Sequence, residues 1–201
     1  MIRVHKVVES SIASGPGRRL LLVLQGCSLG CPDCLVPETH SNKRGREESV
    51  AFLVQYILSI QGIQGITITG GEPMEQAQAL LQLIQGIRES SNLSVFLYTG
   101  HEINELQSHG TRAQLQLILA VDILCDGPYM IDLATQKNLW RGSSNQKIYA
   151  FSDKGRNEIK EYSQPMQMTL QATPDDWQIV GIPTKDMVDL LQKGFFGGRD
   201  F

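Results

Sequence analysis

The sequence predicts an α/β fold, a smaller or incomplete βα barrel built on a parallel sheet, and three observations predict it. Short aliphatic or β-branched runs alternate with stretches of helical apolar spacing. Glycine-rich and polar segments follow the C-terminal ends of those runs, the edge at which parallel α/β sheets bind ligands. The chain has 201 residues, fewer than the roughly 250 that a closed eight-fold barrel takes.

The elements follow in order. Residues 3–8 and 19–25 read as β-runs joined by the turn Ser-Ile-Ala-Ser-Gly-Pro-Gly. Residues 50–60 read as a helix, 65–69 as a strand, and 74–89 as a helix in which Ala77, Leu80, Leu81, Ile84 and Ile87 recur at helical spacing. Residues 95–98 and 120–125 read as further strands. Beyond Asp126 the pattern weakens: 168–171 and 177–182 are strand candidates, and 184–193 reads as a last helix, opened by Pro183 and Thr184 and stopped at Gly194. The ending FFGGRDF receives no assignment. No repeat or linker divides the chain, so residues 1–150 are read as a core domain and 151–201 as an extension that completes or decorates it.

Apolar residues make up 41%, and 19 glycines bring the total to about half, a globular composition that excludes disorder. A net charge of −3 gives no electrostatic case for binding nucleic acid or an anionic membrane. The longest aliphatic run, 20–24, is far short of the roughly 20 apolar residues of a membrane span. The first residues lack the apolar core of a secretion signal, so a cytoplasmic protein is expected.

Cys27, Cys31 and Cys34 lie within eight residues directly after the second β-run, while Cys125 stands far away. Such clustering reads as a metal site rather than a disulfide scaffold. Two metals fit. Three thiolates can hold three irons of a [4Fe-4S] cluster and leave the fourth iron open; alternatively, Cys125 supplies a fourth sulfur to a structural zinc, which makes the protein a non-catalytic zinc-binding module. A triplet and a singleton at a strand end favour the cluster, with Cys125 a small apolar core side chain.

A second signature, Thr69-Gly70-Gly71-Glu72-Pro73, closes one strand and opens a helix. Glycines let backbone approach a bound molecule, proline suits a first helical turn, and Glu72 offers an acceptor to an ammonium group. The alternative is a plain strand-to-helix turn.

The C-x3-C-x2-C spacing, preceded by Ser14-Gly15-Pro16-Gly17-Arg18 and Gln25-Gly26 and followed by Pro37-Glu38-Thr39, resembles the radical S-adenosylmethionine (SAM) superfamily. The segments 97–100 (LYTG), 121–129 (VDILCDGPY) and 139–146 (LWRGSSNQ) resemble, within it, the activating proteins of anaerobic ribonucleotide reductase. The resemblance spans about 15–150 and implies an incomplete TIM-like βα barrel. It implies that Cys27, Cys31 and Cys34 hold the cluster, and that the amino and carboxylate groups of SAM chelate the open iron. Gly70, Gly71, Glu72 and Pro73 then bind the amino group of SAM, Asp33, Cys34 and Leu35 lie against the cofactor, and Thr99 and Asp126 edge its pocket. For Asp126, a cap on the next turn is the alternative.

The sequence departs from the family at Asp33 and Leu35, where an aromatic is common, and at His40, where a tryptophan is common. His40 is read as an exposed loop residue, with a fourth metal ligand as the alternative. The basic run Lys43-Arg44-x-Arg46 reads as solvated loop, the alternative being a docking site. The implied chemistry is reductive cleavage of SAM to methionine and a 5'-deoxyadenosyl radical. The implied target is a backbone glycine of a large glycyl-radical reductase, with a flavodoxin or ferredoxin as electron donor. The same chemistry on another peptide or a small molecule is the second reading.

Overall fold

The computed structural model describes residues 1–32, 34–134, 139–162, 169–172 and 177–181. Strands β1 (Ile2–Ser11) and β2 (Arg19–Leu24) open the chain, followed by the short β3 (Arg46–Glu48) and helix α1 (Val50–Ser59). Then come β4 (Gly65–Thr69), α2 (Ala77–Ser90), β5 (Ser94–Tyr98), α3 (Ile103–His109), α4 (Arg112–Ala120) and β6 (Ile123–Asp126). The strand β7 (Lys147–Ala150) and helix α5 (Asp153–Glu161) follow, and β8 (Thr169–Ala172) pairs with β9 (Trp177–Val180) as a separate hairpin.

The first seven strands form one sheet in the order β3-β1-β2-β4-β5-β6-β7, whose edge strands do not join. Strands β2, β4, β5 and β6 are parallel, while β1, β3 and β7 run antiparallel to their neighbours. The expected α/β architecture is present, but the sheet is mixed and open. Each crossover runs to the immediate neighbour, so right-handed connections place the helices on a single face. Register aligns Leu20 with Ile66, Ile66 with Val95, and Leu97 with Leu124. These rows bury against Leu53 and Ile57 of α1, Leu80, Leu83, Ile84 and Ile87 of α2, and Leu117 of α4. Because side chains alternate across a strand, the other face carries Leu21 and Val23, Thr67, Phe96 and Tyr98, and Ile123 and Cys125. On that face Phe96, Ile123 and Cys125 pack with Trp140, and Ile159 and Tyr162 close over them.

Two expectations are corrected, and two stretches hold elements that were not expected. The helix placed at 74–89 begins as a 3-10 turn, Pro73–Gln76, because the Glu72 side chain caps Met74 there, and α2 proper starts at Ala77. Residues 120–125 are not one strand: Ala120 ends α4, and the strand runs from Ile123. The helix α4 was visible in its capping box, in which Thr111 and Gln114 satisfy each other's backbone amides. The weak region after Asp126 holds an edge strand and α5, the latter capped by Ser152. The helix expected at 184–193 and the tail lie outside the described residues.

At the N-terminal ends of the parallel strands sits a fully buried arginine. Arg19 Nε donates to Thr67 Oγ1, and its terminal nitrogens donate to the Pro16, Ile66 and Ser94 carbonyls and to Ser94 Oγ, all at 2.8–3.0 Å. Glu158 of α5 lies 3.6 Å away and supplies the counter-charge. Burial lowers the Arg19 pKa to about 10, so the guanidinium stays charged at neutral pH.

Candidate functional site

At the opposite, C-terminal edge of the sheet, residues 25–41 form a loop that returns on itself. Gly26 N donates to the Thr39 carbonyl at 2.7 Å and Cys27 N to the His40 carbonyl at 3.1 Å. Gly26 bends with φ of 100°, a conformation that favours glycine. The buried Gln25 side chain donates to the Glu38 and Ser41 carbonyls, both at 2.9 Å, and its oxygen pairs with His5 Nδ1. Ser28 is tied to Glu75 through both its amide and its hydroxyl. The third cysteine closes a turn on the second, with Cys34 N donating to the Cys31 carbonyl at 3.3 Å.

These bonds place Cys27, Cys31 and Cys34 on the wall of one cleft that opens to solvent at its mouth. Burial pushes the Cys27 thiol up, while the Leu29 and Gly30 amides pull toward the thiolate. Burial likewise raises Cys34, the Val36 amide pulls toward the thiolate, and the neighbouring Cys31 and Cys27 charges raise it further. Thiols of this kind ionise readily once a metal replaces the proton.

The zinc reading lacks its fourth sulfur. Cys125 is buried between strands of the sheet, away from the cleft wall, and burial pushes its thiol up to about 12. Among the described residues, no three His, Cys, Asp or Glu side chains meet at a single-ion distance. A donor set of three cavity thiolates with no fourth sulfur beside them fits a cuboidal cluster with one open iron.

The Gly70-Gly71-Glu72-Pro73 turn lines the same cleft. Its glycines adopt positive φ of 66° and 50°, and a Cβ on Gly71 would stand 2.5 Å from the Gly26 carbonyl oxygen. The space is needed for the cysteine loop itself, a reason different from direct approach to a ligand. Gly71→Val is therefore expected to displace that loop and lose cluster and SAM binding together, as iron content and equilibrium binding would report. Retention of a full cluster would refute this account of the turn.

Glu72 is buried, and its carboxylate joins two strand ends. Oε1 accepts from Met74 N and Thr99 Oγ1, both at 2.8 Å, and Oε2 accepts from Gly100 N at 2.9 Å. Burial raises its pKa against the pull of these donors. A carboxylate has about four acceptor positions, so one on Oε2 is left for a ligand. Thr99 lines the cleft, and its hydroxyl serves Glu72.

Asp126 does not line the cleft. Its Oδ2 accepts from Ile103 N at 2.8 Å at the start of α3, and Oδ1 from Lys147 N at 3.3 Å. Asp126 therefore caps the earlier helix α3 and not the turn that follows it, and its carboxylate is engaged away from the cleft. Leu35 lines the cleft, half-exposed at its mouth. Asp33 lies outside the described residues. Of the basic run, Arg46 pairs with Glu48 on the surface.

His40 is also corrected: it is half-buried on the cleft wall, and its Nε2 is fully enclosed with no protein partner. Sequence reasoning missed Gln146 as well. Its oxygen accepts from Gly142 and Ser143, its amide donates to the Gly127 carbonyl at 2.9 Å, and Asn145 donates to the Pro128 carbonyl. The DGPY and WRGSSNQ segments are thus one clasp, which presents Pro128, Tyr129, Gly142 and Gln146 to the cleft. Trp140, in a left-handed conformation with φ of 51°, anchors it by accepting from Tyr98 Oη through its carbonyl.

Residues 13–149 match the family model described as the 4Fe-4S single cluster domain. The anaerobic ribonucleoside-triphosphate reductase-activating protein of Escherichia coli K12 is 32% identical over 152 residues, 72% of this chain and 96% of that protein. The protein of the same name from Salmonella typhi is 30% identical over 74% of this chain and 98% of its own, and that of phage T4 29% over 74% and 94%. The family model covers the cysteine loop and the turns that support it, and the chain belongs to the 4Fe-4S single cluster domain family, among the anaerobic ribonucleoside-triphosphate reductase-activating proteins.

Proposed function

We propose that this chain activates an anaerobic ribonucleoside-triphosphate reductase by using a [4Fe-4S] cluster and SAM to place a radical on a glycine of that enzyme. The observation that carries the reading is the convergence of Cys27, Cys31 and Cys34 with the Gly70–Pro73 turn on one cleft. Bound together, the cluster and SAM supply one-electron cleavage of a carbon–sulfur bond and, from it, hydrogen-atom abstraction.

The chain's own part is binding, orientation and exclusion of water. Cys27, Cys31 and Cys34 hold three irons and leave the fourth to the amino-acid end of SAM. Glu72, immobilised by Met74, Thr99 and Gly100, presents its remaining acceptor to the SAM ammonium as a charge-assisted hydrogen bond. Leu35 at the mouth and Tyr129 and Gln146 of the clasp enclose the nucleoside end. The cleft is open at its mouth, and there the hydrogen donor enters from a partner. A glycine loop suits it, since no Cβ obstructs the approach.

Residues 151–162 complete the same domain, a reading supported by Glu158 beside Arg19 and by Tyr162, whose hydroxyl accepts from Gln64. Free thiols throughout suit a reducing cytoplasm, with a flavodoxin or ferredoxin as donor. Among the described residues, no helix is long and apolar enough to cross a membrane.

The test mixes the reduced, cluster-loaded protein and SAM with the cognate reductase. Methionine, 5'-deoxyadenosine and a glycine-centred doublet in the electron paramagnetic resonance spectrum are expected, the doublet collapsing when glycine is deuterated at Cα. SAM cleavage without that signal, on a reductase competent with another activator, would reject the reductase as the target.

A further inference from the structure

We propose that the Lys6 ammonium recognises the glycine-bearing segment of the reductase by pairing with a carboxylate on it. This rests on the reading that a partner's glycine loop supplies the hydrogen atom at the cleft. The first observation is a one-residue bulge in β1. Val4 pairs with Leu24 but Lys6 pairs with Val23, which leaves His5 as the extra residue. Side chains alternate along a strand, so without the bulge Lys6 would follow Ile2 and Val4 toward the helices. With it, Lys6 turns with Val8, Leu21 and Val23 to the opposite face, and there it lines the cleft together with Ala13, Ser14, Leu21 and Val23. Bulges that re-aim a side chain in this way are common beside functional sites.

The second observation is charge. Lys6 is half-buried, and among the described residues its ammonium has no acceptor. The carboxylate on the described wall of the cleft is that of Glu72, which already serves Met74, Thr99 and Gly100. SAM leaves this flank free: its amino-acid end meets Glu72 after β4 and its nucleoside end the clasp after β6, whereas β1 lies on the other side of β2. The cation therefore meets what enters from outside, and its charge selects a carboxylate. Ala13, Leu21 and Val23 around it fix no register on an incoming loop, whereas one charge pair does so and rejects a loop of the wrong charge.

The experiment follows glycine-radical formation by electron paramagnetic resonance against reductase concentration, with the cluster-loaded protein and SAM. In Lys6→Met the reductase concentration giving half-maximal radical should rise about tenfold, in keeping with one hydrogen bond to a charged group. Lys6→Glu should raise it further, and Lys6→Arg should recover most of the loss. Added salt should raise the wild-type value and move that of Lys6→Met much less. A rise below about twofold in Lys6→Met would overturn the proposal. Equilibrium binding of SAM tells the source of the carboxylate: SAM binding weakened to the same degree in Lys6→Met would assign the cation to the cofactor and overturn the proposal as well. Carbodiimide coupling of the wild-type complex, which joins an ammonium to a carboxylate in contact with it, is independent of how the variants fold. An amide between Lys6 and an Asp or Glu close to the reductase's glycine supports the pairing, and coupling of Lys6 elsewhere, or not at all, overturns it. Wild-type protein that cleaves SAM and yields no glycine radical would reject the underlying reading, whereas a normal radical with an unmoved half-saturation rejects this inference alone.

Discussion

Cys27→Ala, Cys31→Ala and Cys34→Ala are each expected to abolish the brown colour of the reconstituted protein, while Cys125→Ala keeps close to four irons per chain. Three irons of the cube need one thiolate each, and Cys27, Cys31 and Cys34 are the thiols that line the cleft among the described residues. Removing one cysteine therefore leaves two iron sites without a protein donor instead of one. Cys125 packs with Phe96, Ile123 and Trp140, and its loss creates only a small cavity, costing about 1–2 kcal/mol. Iron and sulfide analysis with the visible spectrum decides the matter. Stoichiometric zinc in colourless wild-type protein, or a cluster lost with Cys125, would show the site to be misassigned.

Arg19→Met should lower stability by about 3–5 kcal/mol, the usual consequence of removing one partner from a buried charged network. The side chain fits sterically, but Thr67 Oγ1, Ser94 Oγ and the Pro16, Ile66 and Ser94 carbonyls lose their donor, and Glu158 loses its cation. For a chain of this length that loss corresponds to a fall in melting temperature on the order of 10 °C. Arg19→Lys should recover little, since an ammonium has three donors and no planar fork. Thermal unfolding followed by circular dichroism measures both; a shift under about 2 °C for Arg19→Met would mean that the network adds nothing.

The contrast between these two sites shows what a sequence can carry. The cysteine triplet and the GGEP turn are legible because their chemistry is local: the ligands lie within eight residues, and the turn residues are set by backbone conformation. The parallel strands and first helices are legible through periodicity, and the resemblance in 121–146 pointed to segments that do line the cleft. Arg19 was illegible, because its partners Thr67, Ser94 and Glu158 come from elements far along the chain. Asp126 was ambiguous for the same reason. A carboxylate at a strand end can face a ligand or a neighbouring helix, and here the amide it meets, Ile103 N, comes from a helix two elements earlier in the chain. His40 read as exposed because nothing local announces that Cys27 and its own carbonyl would be joined. The helices α3 and α4 were passed over although Thr111 and Gln114 marked a start, since each is too short for periodicity to stand out.

The bonds between Gly26 and Thr39 and between Cys27 and His40, with the Gln25 amide reaching Glu38 and Ser41, join protein groups only. Much of the cysteine loop's shape is thus set by hydrogen bonds within the chain. A scaffold tied in this way is expected to keep its backbone when metal is removed, so that a lost cluster can be rebuilt from fresh iron and sulfide without refolding; unchanged far-ultraviolet circular dichroism of metal-free protein that regains its iron would show it.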